Sequence, residues 1–271
     1  MKASVIFSTY NAVDWLEKVI IGFDNQTVND FEIIIADDGS DEKTKAKIDS
    51  LKNKIKIPIK HVWQEDAGFQ KTKILNKAIL ASATDYLIFT DGDCIPRKDF
   101  VESHLKYREE NYFLSGGYFK LSMETSIKIT PENIKNQDCF SIKWLLNNGM
   151  KLNFKFIKLL KSKYSAAFLN ATTTTSPSWN GHNASGWKKD LLKVNGFNEE
   201  MKYGGEDREL GERLFNLGLK SKQIRYSAIC VHLDHARGYV SEEVWKKNDA
   251  IRANTVKFKI TSSPDGINKF S

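Results

Sequence analysis

Two carboxylates one residue apart, Asp91 and Asp93, close the apolar run Tyr86-Leu87-Ile88-Phe89-Thr90. Side chains alternate along an extended backbone, so the pair is expected to face one way and to share a divalent cation, as a protein gripping a metal diphosphate requires. An Asp-Gly-Asp turn after a strand is also ordinary loop chemistry. Other polar residues in the chain decide between these readings. Asp37-Asp38-Gly39-Ser40 closes a second apolar run, and Thr9-Tyr10-Asn11 closes a first. Gly204-Gly205-Glu206-Asp207 precedes the helical spacing Leu210, Leu214, Leu217, which puts two acids at a helix N-terminus, where capping alone also accounts for them.

The elements that must position these groups follow from periodicity. Apolar runs alternate with amphipathic stretches: 3–8 then 13–23, 31–36 then 42–51, 57–63 then 71–83, and 86–90. This is the βαβ pattern of a parallel sheet, and Ile33-Ile34-Ile35 is apolar on both faces, as strands covered by helices on each side should be. In such sheets ligands bind outside the carboxyl ends of the strands, where the three polar tips would converge.

With 271 residues, 41% of them hydrophobic, the chain can bury a full core. Lysine and arginine outnumber the acids 41 to 34, a net charge of +7 that favours anionic partners such as nucleotides, phosphorylated lipids or an acidic membrane face. Three scattered cysteines, Cys94, Cys139 and Cys230, suit neither a disulfide framework nor a clustered zinc site and fit a reducing cytosol. The opening apolar run is too short for a signal-peptide core, and no segment of spanning length is free of charge. The expected location is the cytoplasm, with contact limited to a membrane surface.

The series Val5-Ile6-Phe7-Ser8-Thr9-Tyr10-Asn11, Gln26-Thr27, Asp30-Phe31-Glu32-Ile33, Ala36-Asp37-Asp38-Gly39-Ser40 and Asp91-Gly92-Asp93 resembles, in order and spacing, family 2 glycosyltransferases of the GT-A fold. Between about 179 and 235, Asn183, Trp187, Gly196-Phe197, Gly204-Gly205-Glu206-Asp207 and His232 resemble the C-terminal half shared by β-1,4-galactosyltransferases and bacterial chondroitin-polymerase-type enzymes. The resemblance implies an α/β fold with a Rossmann-like, mostly parallel central sheet flanked by helices, one compact domain of two halves. Residues 1–122 would bind the nucleotide sugar, 123–178 form a variable helical insertion and loop, 179–240 hold acceptor and catalytic groups, and 241–271 form a tail.

It also implies roles. Asp93 would ligate the metal directly, with Asp91 beside it on ribose or a metal-bound water. His232 matches a metal-ligating imidazole, His235 is its rival, and Ile229 stands where the galactosyltransferases add a methionine ligand. An imidazole beside a carboxylate suits Mn2+ better than Mg2+. Asp207 would be the general base, with Glu206 and Gly205 on the acceptor. Asp38 would accept from the uracil imide, with Asp37 sharing or exchanging that role and Thr9 flanking base and ribose. Asn76 lies on the donor-binding helix and Asn183 near the donor sugar. Many relatives have an arginine where Leu75 stands, and Lys71, one turn earlier, could supply that charge to the diphosphate.

Trp179 reads equally as a platform for a sugar ring and as a core residue. Lys151 to Lys161 is expected to form a basic amphipathic helix, apolar at 152, 156, 159 and 160, able to rest on anionic lipid or to cover the core, and Ala171 to Pro177 a loop. The expected function is inverting, metal-dependent transfer of a hexose or N-acetylhexosamine from a UDP-sugar to a surface glycan or glycolipid such as lipopolysaccharide, with no nucleic-acid partner. A nucleotidyltransferase would want a glycine-rich phosphate loop that Ser8 to Ala12 lacks, and a non-catalytic carbohydrate-binding protein would not need Asp93, Asp207 and His232 together.

Overall fold

Strands and helices alternate through the first half of the chain in the computed structural model, which describes residues 1–160, 162–235 and 241–270. The order is β1 (Ala3–Thr9), α1 (Val13–Asp24), β2 (Phe31–Asp37), α2 (Glu42–Lys52), β3 (Ile59–Trp63), α3 (Lys71–Ala81) and β4 (Tyr86–Asp91). Then follow β5 (Cys94–Pro96), α4 (Phe100–Tyr107), β6 (Tyr112–Ser115) and β7 (Gly117–Lys120). Short helices α5 (Met123–Lys128), α6 (Pro131–Lys135), α7 (Ile142–Asn147) and α8 (Lys163–Thr172) fill the insertion. The chain returns through β8 (Asn183–Trp187), α9 (Lys188–Lys193), α10 (Glu206–Asn216), β9 (Lys220–Gln223), β10 (Ile229–His232) and α11 (Glu242–Lys257).

The main sheet runs β3-β2-β1-β4-β8-β6-β9. Its first four strands are parallel, and β8 is antiparallel to both neighbours. Alternation sorts their side chains: Val5, Phe7, Ile33 and Ile35 enter the core against α1 and α2, while Ile6, Ile34 and Ala36 enter the opposite core with Ile74 and Ile79 of α3. Both faces are covered, which is why the strands read as continuous apolar runs. The register sets Thr9 beside Asp37, Asp37 beside Trp63, and Ser8 beside Asp91, so the strand tips end level with one another.

β8 belongs to the expected catalytic half yet lies between β4 and β6, so the two halves share one sheet. A second sheet, β5-β10-β7, sets His232 opposite Cys94 and beside Lys120. Its three- and four-residue strands bring residue 93 to residue 232.

The expected helix over 151–161 does not form. Residues 151–153 are irregular, Phe154–Leu159 is a 3-10 turn, and Lys161 lies outside the described residues. The Asn153 side chain accepts from the Lys155 N–H and starts the turn, and Phe156 and Leu159, three apart, are its buried positions. That spacing fits the three-residue period of a 3-10 helix. Ala171 and Thr172 end α8, and the loop starts only after them.

Candidate active site

A cleft of about 1120 Å³ opens along the level strand tips. It is lined by Thr9, Asp38, Lys71, Asp91, Asp93, Gly205, Glu206, Asp207 and His232, all singled out from sequence, and also by His235. The residues at 93, 207 and 232 therefore face one space.

β1 and β4 meet closely at the floor. The Gly92 N–H donates to the Ser8 carbonyl at 3.1 Å, and a Cβ on Gly92 would lie 2.6 Å from that oxygen. Glycine is thus required between the two aspartates. These aspartates go to different partners rather than sharing one. Asp91 accepts from the Lys71 ammonium at 2.9 Å, whereas Asp93 lies 3.7 Å from His232 Nε2 and 3.1 Å from His235 Nε2. Strand geometry ends at Asp91, so the alternation that would have aligned the pair does not extend to 93.

One ligand atom each from Asp93, Cys94 and His232 falls within 4.8 Å of the others. Burial pushes the Cys94 thiol well up, and its sulfur lies 3.5 Å from Asp93 Oδ1; the carboxylate and the imidazole are the donors that suit a hard divalent ion. His232 Nδ1 donates to its neighbour's carbonyl, Leu233 O, at 2.7 Å, which leaves Nε2 on the side of Asp93, 3.7 Å from its carboxylate. An oxygen and an imidazole nitrogen held this way fit a divalent ion.

Across the cleft, Gly204 (φ 110°) and Gly205 (φ 85°) take left-handed conformations that begin α10 with Glu206 and Asp207 in its first turn. The Asp207 carboxylate accepts from the Gly181 N–H at 2.8 Å. Glu206 accepts from the Gly204 N–H, and burial raises its pKa against the pull of Lys71. Burial works against the Lys71 charge, but Asp91 and Glu206 (3.9 Å) outweigh it and keep the ammonium charged. A buried ion pair supports α10 from beneath. Arg213 holds Glu209 through Nε and Nη2 and caps the Val194 and Gly196 carbonyls, and Thr255 of α11 donates to the same glutamate.

At the other end, Asp38 accepts from Gln64 Nε2 (2.6 Å) and the Gln70 N–H (2.9 Å), and burial raises its pKa. The Thr9 hydroxyl is buried with no hydrogen-bond partner. Half-exposed Tyr10 donates to Asp66.

Four expected site residues lie outside the cleft lining. Asp37 is fully buried, accepting from the Ser40 N–H and bonded to His61, so it closes its own turn and cannot share the base-binding role. Asn76 is tied to both the N–H and the carbonyl of Phe197 and joins α3 to that turn instead of facing a donor. Trp179 is 0% exposed, packed on Phe89 and Phe113, with Gly186 and Gly211 leaving room for it; its ring is unavailable to an acceptor. Asn183 donates to the Gly117 and Ala228 carbonyls and accepts from His104 Nε2, a structural tie between the two sheets.

That last contact fixes a titration. With Nε2–H donating to Asn183, His104 Nδ1 is the acceptor for Ser185, and the ring is neutral. Burial lowers its pKa to about 4, against 6.5 for a free histidine. The unfolded chain therefore binds more protons between these values, and stability should fall as pH drops from about 6.5 towards 4. Urea unfolding at pH 7 and pH 5 is expected to differ by about 2 kcal/mol from this residue, and His104→Gln should flatten that slope.

The sequence reading passed over Tyr203, whose ring meets Phe69 at 6.0 Å and Trp245 at 6.3 Å, and over His182, Trp245 and Arg252, all lining the cleft. Tyr203 adjoins the glycine pair and was findable there; Trp245 and Arg252 sit on α11, where no motif marks them.

A mixed sheet with a cleft across its parallel strand tips, entered by a histidine from a small second sheet, is the GT-A glycosyltransferase fold. TarS of Staphylococcus aureus, solved with UDP-GlcNAc, superposes with a TM-score of 0.64 at 16% identity over 99% of this chain and 69% of that one. The mannosyltransferase PcManGT of Pyrobaculum calidifontis, solved with GDP-Man and Mn2+, gives 0.60 at 17% identity over 88% and 58%. Residues 4–168 match the family described as glycosyl transferase family 2, and the chain belongs to it. Residues 170–236 match the description N-terminal domain of galactosyltransferase. Among curated proteins, the chain is similar to the uncharacterized glycosyltransferase YfnE of Bacillus subtilis (28% identical, covering 94% of this chain and 69% of YfnE). It is similar also to the chondroitin synthase of Escherichia coli (27%, 92% of this chain), of whose length it spans only 36%.

Proposed function

We propose that the protein transfers a hexose or N-acetylhexosamine from a UDP-sugar to a hydroxyl of a glycan or glycolipid acceptor, with inversion at the anomeric carbon and dependence on Mn2+ or Mg2+. The observation that carries this reading is the shared cleft, which Asp93, His232, the Asp207 carboxylate and buried Asp38 all line. Relatives named as chondroitin and hyaluronan synthases support a glycan acceptor.

Asp38, the unpartnered Thr9 hydroxyl and the Tyr10 ring would bind uracil and ribose. Asp93 and His232 would hold the divalent ion, which when bound neutralises the diphosphate leaving group. Lys71 would hold position between Asp91 and Glu206 and add positive charge beside the phosphates. The acceptor surface is the Tyr203 and Trp245 wall, in place of the buried Trp179. Asp207 accepts the acceptor proton as the acceptor oxygen bonds to the anomeric carbon and the carbon–phosphate oxygen bond breaks, its electron pair leaving on UDP. One displacement gives inversion. Residues 1–122 would thus serve the donor, and 179–240 would supply the acceptor groups together with His232 for the ion, with the tail adding Trp245.

Nucleotide release from UDP-, GDP- and dTDP-sugars, with and without Mn2+, tests this reading. UDP release with metal and a single inverted anomer in the product is expected. Release of pyrophosphate, or sugar binding without any release, would overturn it.

A further inference from the structure

Helix α8 carries its apolar stripe on the wrong side for a core helix. Tyr164, Ala167, Phe168 and Ala171, spaced i, i+3, i+4, i+7, are exposed, while Ala166 is buried. Tyr164 is 91% and Phe168 67% exposed, and the preceding segment adds Leu152 at 74% and, at the start of the turn, Phe154 at 84%. Large apolar side chains this exposed, close together in sequence, mark a surface that meets something.

Charge says what. Between Asp138 and Asp190 the sequence has no acid and eight lysines. Lys151 and Lys155 are exposed beside the apolar residues, and Lys158 and Arg225 stand close enough to repel. Burial, then Arg225 and Lys155, lowers the Lys158 pKa to about 8, and Arg225 Nε is buried with no hydrogen-bond partner. Asp99 and Glu102 lie on the inner side of this segment, beside Leu160 and Ala166, where Asp99 is paired with Arg97, and the cations among the exposed aromatics are complementary to anionic headgroups over hydrocarbon.

We propose that the Phe154–Leu159 turn and the outer face of α8 dock on an anionic lipid bilayer, with the aromatic rings entering the headgroup boundary and the lysines and Arg225 meeting lipid phosphates. The surface adjoins the cleft. Lys158 Nζ donates to the Tyr118 carbonyl at 3.1 Å, and the Tyr118 ring lies 4.3 Å from that of His182 and 6.0 Å from that of His232. Docking there would hold the metal-side wall of the cleft close to the membrane plane. Among the described residues no helix is long and apolar enough to cross a membrane, so the contact is interfacial.

Co-sedimentation of the full chain with vesicles of phosphatidylcholine, alone or mixed with phosphatidylglycerol, tests this without any turnover, so its result is separate from that of the sugar-transfer reading. Binding is expected only with the anionic lipid and should weaken with salt. Changing Lys151 and Lys155 to Gln should lower partitioning about twenty-five-fold, roughly fivefold for each charge. Combining Phe154→Ser, Tyr164→Ser and Phe168→Ser should lower it at least about tenfold with thermal unfolding unchanged, since all three are exposed. Equal binding to neutral vesicles, no binding to either, or variants that partition like the parent chain would overturn the proposal. So would light scattering that shows these substitutions breaking a dimer of this chain while vesicle uptake is absent.

Discussion

Asp207→Asn is expected to lower the transfer rate about 10³-fold while leaving UDP affinity within about twofold, because removing a general base costs between two and four orders of magnitude. The substitution keeps shape and one acceptor oxygen, enough for the Gly181 N–H that now lies 2.8 Å from Asp207 Oδ2, while the contact of Oδ1 with the Arg208 N–H at the exposed start of α10 is given up, so α10 and the 181 loop should stay in place. What is lost is the capacity to take a proton. The contact partners separate this from a fold defect: Glu209 and Arg213, which secure the helix, are not altered. Single-turnover transfer and calorimetric titration of UDP, each in the presence of Mn2+, make the measurement. Near-normal turnover would move the base elsewhere, and equal loss of turnover and UDP affinity would make Asp207 a donor-binding residue.

How far the site was legible depended on what kind of signal each residue left. The boundaries of β1, α1, β2, α2 and β4 lie within one or two residues of the periodic pattern, because strong alternation and uninterrupted apolar runs define them. The strand tips followed from those strands, and so did Asp38 and Asp93. Trp179, Asn76 and Asn183 did not. A tryptophan or an amide is chemically able to bind a sugar or to satisfy buried backbone, and the choice depends on which carbonyls lie within reach once distant strands have paired. Asn183 finds Gly117 and Ala228 only because β8 is inserted beside β6, a long-range event with no local trace. The insertion was misread for a different reason: four apolar positions at mixed three- and four-residue spacing fit an α-helix on paper, but Asn153 caps early and the turn closes with the 3-10 period.

Asp93→Ala is expected to remove metal-dependent UDP binding, a loss of about a hundredfold in UDP affinity in Mn2+ and little change in its absence, since the ion contributes several kcal/mol of charge neutralisation at a diphosphate. Mn2+ binding to the free protein, followed by paramagnetic resonance, reads the site independently of catalysis. The two histidines near Asp93 make distinct predictions. His235 Nε2 is nearer, at 3.1 Å against 3.7 Å, but a short contact to a carboxylate is also what an ordinary ion pair gives. His232 has its Nδ1–H committed to the Leu233 carbonyl and is anchored in β10 opposite Cys94, so its Nε2 lone pair is fixed in position before an ion arrives. Preorganisation, not proximity, should decide, so His232→Ala should weaken Mn2+ binding far more than His235→Ala. If the order is reversed, His235 takes the place of the missing methionine ligand and His232 becomes the support that holds Asp93 in place.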